Sequence, residues 1–164
     1  MKTVIVVFHP HPEHSKRNQL LVSAVKHLKN VTVHFVDEKY MTATKQDIKN
    51  ERELLRQNQQ VIFQFPVYWY MLPAVGKKYI DEIFEDGFGY KIVHGNYQFS
   101  EMEGKTLKCV ATVGEPRDAY QSTDDIFGVY KRIADGVGMK YGGDLLFCID
   151  DGDKKIAEYV KMVQ

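Results

Sequence analysis

Val61-Ile62-Phe63-Gln64-Phe65-Pro66, followed at once by Val67-Tyr68-Trp69-Tyr70-Met71-Leu72-Pro73, decides how the chain is built. The opening run is nearly continuous in large apolar residues, the mark of a strand covered on both faces. Pro73 suits the first position of a helix, and Val75, Tyr79, Ile80, Ile83 and Phe84 then recur as one apolar stripe. The same rhythm of apolar run and helical stretch appears elsewhere, with runs at 3–8, 31–36, 106–113 and 144–149. Thr44, with Asp47 three residues on, opens one helix as a capping box. Ser122 or Thr123 caps another, whose first turn holds Asp124 and Asp125 against the dipole. That helix turns Ile126, Phe127, Tyr130, Ile133 and Val137 inward, and Gly138 suits its end.

Five strands alternating with helices predict an α/β doubly wound parallel sheet with helices on both faces. At 164 residues the flavodoxin-like order 2-1-3-4-5 is favoured over a longer dinucleotide-binding fold. No repeat, low-complexity tract or linker divides the chain, so a single domain over 1–164 is expected. The segment 86–105 breaks the rhythm: it is too long for an ordinary connection and holds Phe88, Tyr90, Tyr97 and Phe99.

Lysine plus arginine equals aspartate plus glutamate at 22 each, so no global field recruits nucleic acid or an anionic membrane. An anionic ligand must be held by a local site. The first apolar run, six residues long, is too short for a secretory core or a membrane span. Cys109, between Lys108 and Val110, and Cys148, between Phe147 and Ile149, read as two buried reduced thiols, and a cytoplasmic setting is expected.

In a doubly wound sheet, ligands bind beyond the carboxyl ends of the strands where the winding reverses, here after the first and third strands. The loop after the first strand runs His9-Pro10-His11-Pro12-Glu13-His14-Ser15-Lys16-Arg17-Asn18. Without glycine it is neither a Walker loop nor a dinucleotide-binding turn. It does place hydroxyl, amide, imidazole and cationic donors before a helix start, where an anion is favoured. Three readings stay open on these residues: a phosphate seat, a surface loop with Ser15 or Asn18 as a plain N-cap, and a metal site from His9, His11 and His14. After the third strand, Tyr68-Trp69-Tyr70 cannot all be buried, so some face a pocket, a partner subunit or solvent. After the fourth, Gly114 lets backbone N–H groups approach a ligand closely. A phosphate seat, an aromatic wall and a backbone cradle on one edge fit FMN better than ATP or NAD.

The block Phe63-Gln64-Phe65-Pro66-Val67-Tyr68-Trp69-Tyr70, then Pro73-Ala74, Lys77-Lys78, Asp81 and Gly87-Phe88-Gly89-Tyr90, resembles the NAD(P)H:quinone oxidoreductases of flavodoxin-like fold. That family includes bacterial general-stress flavoproteins and the ancillary flavoproteins of glutathione-gated potassium efflux. The resemblance implies a flavin phosphate held by His9, Ser15, Arg17 (mainly through its backbone) and Asn18. It lays Pro66, Val67, Tyr68, Trp69 and Tyr70 along the flavin ring. Thr112, Val113, Gly114 and Glu115 map to a turn at the pyrimidine end that reads Thr-Thr-Gly-Gly in the family. Val113 and Glu115 are departures, for the second threonine and the second glycine, and the Glu115 side chain is expected to point away from the ring. Tyr120 maps to a catalytic tyrosine, but the histidine that usually partners it has no counterpart in Asp124-Asp125-Ile126-Phe127. Tyr90 matches a substrate-pocket tyrosine reached across a homodimer interface.

The expected activity is therefore hydride transfer from NAD(P)H through bound flavin to a quinone-like acceptor, with FMN favoured over FAD by the short chain. Two rival readings stand beside it. One is a flavin-binding ancillary subunit docked on a membrane antiporter. The other, a one-electron flavodoxin, fits less well, because such carriers are typically acidic and this chain is neutral.

Overall fold

The computed structural model describes residues 1–164. The chain runs β1 (Thr3–Phe8), α1 (Lys16–Val25), β2 (Val31–Val36), α2 (Lys45–Arg56) and β3 (Gln60–Pro66). It continues through α3 (Ala74–Ile83), β4 (Tyr90–Val93), β5 (Asn96–Phe99) and β6 (Thr106–Thr112). It closes with α4 (Asp124–Gly136), β7 (Lys140–Phe147) and α5 (Asp153–Val163). Five strands form one parallel sheet in the order β2-β1-β3-β6-β7, which is the expected 2-1-3-4-5 winding.

The alternation of side chains along a strand splits the core in two. Val4, Val6 and Phe8 of β1, with Phe63 and Phe65 of β3, face the larger apolar cluster under α2, α3 and α4. Ile5, Val7 and Ile62 face the opposite way, into a cluster closed by Leu21, Val22 and Val25 of α1 and Tyr159 and Val163 of α5. All six residues of β1 are buried. Burying such side chains stabilises by about 1.5–3 kcal/mol each, so both helical layers are needed and neither sheet face can be left open. Among the helix signals, the Thr44 capping box forms as read, with the Thr44 hydroxyl accepting from Asp47 N–H and the Asp47 carboxylate accepting from Thr44 N–H. Both cysteines are buried and unpaired.

Several features differ from the sequence reading. Pro73 is the residue before α3 rather than its first, because its ψ of 156° is extended. The last strand starts at Lys140 and stops at Phe147, four residues earlier at its start and two at its end. Its polar first half joins by ladder pairing to β6, while Cys148 leaves the ladder because its N–H donates to the Asp151 carboxylate. Finally, the 86–105 segment is no plain loop: β4 and β5 pair antiparallel around His94-Gly95, both at positive φ. Tyr90 stacks on Tyr97 across that hairpin at 5.2 Å between ring centroids.

The close approach of α3 to β1 depends on Gly76. A Cβ there would lie 2.0 Å from Leu72 Cδ1 and 3.0 Å from the Phe8 ring. Leu72 could swing aside, but Phe8 is fully buried and cannot. Gly76→Ala gains helix propensity yet overpacks this contact, and a net loss of about 1–2 kcal/mol is expected. Urea denaturation checks it, and an unchanged midpoint would show that α3 has room to spare.

Candidate functional site

The reversal of winding between β1 and β3 leaves a crevice at their carboxyl ends, and three loops line it. The first contains a short 3-10 turn (Pro12–His14) started by its proline, and Ser15 then precedes α1. The Ser15 side chain does not cap the helix. The first-turn N–H groups therefore keep the orphan character that favours an anion. His9 Nδ1 accepts the His11 N–H at 3.1 Å, which assigns the proton of the neutral ring to Nε2 as a donor. Burial, with His11 next, pushes the His9 pKa below its ordinary value and favours that neutral form.

The three histidines do not gather round one point. His11 leans to Glu38 at 3.6 Å and His14 to Glu13 at 3.7 Å, and no three His, Cys, Asp or Glu side chains converge to hold a metal. Lys16 and Arg17 add positive charge to a cavity of about 420 Å³, which His9, Ser15, Pro66, Thr112 and Gly114 also line.

The second loop is a tight turn over 68–71. Tyr68 N–H donates to Met71 O at 2.8 Å and Met71 N–H returns to Tyr68 O at 3.2 Å. Its central residues, Trp69 and Tyr70, both have positive φ, 50° and 65°. Such turns ordinarily take Asn-Gly, and each bulky residue held there costs about 1–3 kcal/mol. The turn persists because both ends are fastened: Val67 N–H donates to Thr112 O at 2.9 Å, and Leu72 N–H donates to the Tyr130 hydroxyl at 3.1 Å. The strain holds two aromatic rings out of the core. Trp69 is 93% exposed.

The third loop, after β6, is pinned to the end of β7 and to the segment between β7 and α5. Ile149 N–H donates to Glu115 O, Arg117 N–H to the Asp150 carboxylate, and the Arg117 guanidinium to Asp151 Oδ2 at 2.6 Å and to Leu146 O. On this fixed base the Tyr120 hydroxyl donates to Glu115 Oε2 at 3.0 Å. Burial, and then the Glu115 carboxylate, push the Tyr120 pKa up to about 12. The phenol therefore keeps its proton throughout the physiological range. Both side chains line a second cavity of about 540 Å³, with Trp69, Tyr70, Ser122 and Asp125. Val67 lines both cavities.

The structure thus brings His9, Ser15, Arg17, Pro66, Val67, Tyr68, Thr112, Val113 and Gly114 around the smaller cavity. Trp69, Tyr70, Glu115 and Tyr120 line the larger. Two of the expected residues stand elsewhere. Asn18 is 1% exposed and lies beneath the seat, where its amide donates to Ser15 Oγ and Thr112 Oγ1 at 3.1 Å each. Tyr90 belongs to the β4–β5 hairpin and lines neither cavity. Glu115, expected to point away from the ring, carries its carboxylate on the wall of the larger cavity, where it accepts the Tyr120 hydroxyl. Gln121, Ser122 and Asp125 were not anticipated, although they follow Tyr120 directly and enter the same wall. Gln64 and Tyr159, which support Asn18 from behind, were missed as well.

Comparison with known proteins places this geometry in context. The family model described as flavodoxin-like fold matches residues 1–161. The ancillary protein KefG of the glutathione-regulated potassium-efflux system of Pectobacterium carotovorum is 38% identical over 119 residues, 73% of this chain. The match spans 62% of that relative's length. The uncharacterized NAD(P)H oxidoreductase YdeQ of Bacillus subtilis is 32% identical, covering 86% of this chain and 72% of its own. Among solved structures, an NADPH-quinone reductase from P. pentosaceus superposes with a TM-score of 0.85 at 25% identity, over 100% of this chain and 98% of that one. General stress protein 14 of Treponema denticola shares the fold with a TM-score of 0.78 at 22% identity, over 99% and 94%. By its sheet order, its crevice and a match over almost its whole length, the chain belongs to the flavodoxin-like fold family.

Proposed function

We propose that the chain is an FMN-dependent oxidoreductase that moves a hydride from NAD(P)H to a small quinone-like acceptor. One observation carries the proposal: a seat of outward hydroxyl, imidazole and cationic donors adjoins a cavity walled by strained, exposed aromatic rings. A donor-lined seat suits a phosphate monoester, and flat apolar walls suit a planar ring. The residues present therefore fit FMN. The relatives named for NAD(P)H oxidation and quinone reduction support the same activity.

In this reading, FMN supplies the two-electron chemistry when bound, accepting hydride equivalents from NAD(P)H and yielding them to the acceptor. His9, Ser15, Arg17 and Thr112 hold the phosphate with the α1 N-terminus. Pro66, Val67 and Tyr68, with Trp69 and Tyr70, form the aromatic wall, and the rings keep water from that side. Gly114 would present its backbone N–H to the electron-rich edge of the ring, as an oxyanion hole does, while the Val113 N–H stays in the sheet, donating to Phe147 O at 3.0 Å. Glu115, in place of a histidine, would hold the Tyr120 hydroxyl beside that edge, and the hydroxyl hydrogen would turn from the carboxylate to the ring as negative charge develops there. Tyr90 contributes to the acceptor pocket in a homodimer. The proposed setting is the cytoplasm, in keeping with two unpaired buried thiols. No helix is long and apolar enough to cross a membrane.

A second reading is favoured by the 38% identity to KefG: an ancillary subunit acting on a membrane antiporter. Tight retention on antiporter-containing membranes, with negligible turnover of free quinone, would establish it over the enzyme.

The purified chain should take up one FMN per monomer, followed by flavin fluorescence, and should then oxidise NADH or NADPH with a quinone present. Absence of any flavin uptake would sink the proposal. Tyr120→Phe should keep its flavin but lose roughly tenfold to a hundredfold in the rate at which NAD(P)H bleaches it, the worth of one hydrogen bond to a developing charge. Stopped-flow absorbance reads this directly, and an unchanged rate would remove Tyr120 from the chemistry. Glu115→Gln removes a negative charge from the cavity wall. The two-electron midpoint potential of the bound flavin should rise by about 20 mV if that repulsion is worth about 1 kcal/mol. The Tyr120 phenol pKa should fall together with it, seen in NMR titration of labelled tyrosine.

A further inference from the structure

The polar chain buried beneath the smaller cavity has a direction. Gln64 Nε2 lies 3.2 Å from the backbone carbonyl of Asn18 and 3.1 Å from Asn18 Oδ1. A backbone carbonyl can only accept, so the Gln64 amide must present its nitrogen there. Its oxygen then faces the Tyr159 hydroxyl at 2.6 Å, and that hydroxyl must donate. Tyr159 is fully buried, and burial raises its pKa, so the proton stays on. Since Gln64 donates to Asn18 Oδ1, the Asn18 nitrogen is turned the other way, 3.1 Å from both Ser15 Oγ and Thr112 Oγ1. Both of its hydrogens are engaged by those oxygens. Each hydroxyl thus keeps its own hydrogen, and neither donates it to any protein atom.

The geometry points to Tyr159 and Gln64 as positioning residues. Through Asn18 they hold the Ser15 and Thr112 hydroxyls as outward donors and make the smaller cavity selective for a phosphate monoester. The inference rests on the flavin reading above, and it goes beyond it by assigning selectivity to residues that do not touch the ligand. Tyr159 lies on α5, with Gln64 between it and Asn18. A merely structural role would support both halves of the ligand alike. A directional role weighs on the phosphate alone, because a hydroxyl whose hydrogen is turned inward offers an anion only lone pairs.

The test compares FMN with riboflavin, which has the ring and lacks the phosphate, on the full chain stripped of flavin. In the unaltered protein FMN should bind far more tightly than riboflavin. Tyr159→Phe and, separately, Gln64→Leu should raise the Kd for FMN at least tenfold while the Kd for riboflavin stays within about threefold. Equal weakening of both ligands, or no change in either, with circular dichroism and melting intact, overturns the inference. If neither variant folds, neutron diffraction from the perdeuterated unaltered protein gives the answer. Deuterons on Ser15 Oγ and Thr112 Oγ1 should point into the cavity and that on Tyr159 toward Gln64, whereas a Ser15 or Thr112 deuteron aimed at Asn18 overturns it. Should the unaltered chain bind neither flavin, the cofactor reading itself falls and this inference with it. Retained FMN binding with unshifted selectivity in the variants removes the inference alone.

Discussion

Gln64 places an amide in the middle of a strand whose neighbours are all apolar, and the amide is wholly buried. Unpaired, such a group would cost about 2–7 kcal/mol, comparable to the whole net stability of many domains. It can be accommodated only if α1 brings Asn18 to one side of it and α5 brings Tyr159 to the other. One side chain thus couples two helices to β3, and through Asn18 and Thr112 it reaches β6 as well. The point of reversal in the sheet, where two neighbouring strands send their connections to opposite faces, is thereby cross-braced from beneath.

That bracing explains why the loops above can depart from relaxed geometry. A turn with Trp69 and Tyr70 in the left-handed region would open if its ends were free. Its ends are not free, because one is hydrogen-bonded to the end of β6 and the other to a tyrosine of α4. The loop holding Glu115 and Tyr120 is likewise pinned by Arg117 to paired aspartates. Rigid strands and fastened loop ends leave the side chains between them pre-arranged, which lowers the ordering cost of taking up a ligand.

The central strands were legible because their pattern is set by burial on two sides, and continuous apolar runs mark it. The start of the last strand was not, since Lys140-Tyr141-Gly142-Gly143 carries no such pattern and pairs only because β6 offers a free edge. The β4–β5 hairpin had a signal in His94-Gly95, a pair able to adopt the positive φ of a two-residue turn, but its flanking residues alternate weakly. The crevice residues were readable from loop position and donor chemistry. Their hydrogen-bond roles were not: Asn18 reads as a donor to a ligand, while its side-chain amide donates to the Ser15 and Thr112 hydroxyls, and the orientation of Glu115 depends on a tyrosine five residues away. Gln64 itself was the overlooked clue. A polar residue flanked by apolar ones within a buried strand has to be satisfied by something, and what satisfies it lies next to the site.

The β4–β5 hairpin also alters how the chain can travel from α3 to β6. A structureless excursion of that length would carry the closure entropy of a long loop, which grows with the logarithm of the number of free residues. Pairing Tyr90–Val93 with Asn96–Phe99 folds the excursion back on itself, and Glu101 N–H returns to Phe88 O, so the strand-forming ends meet again near where they parted. In polymer terms the detour counts as a short link. Its tip is then free to lengthen, shorten or change composition with little effect on how fast or how firmly the parallel sheet assembles around it.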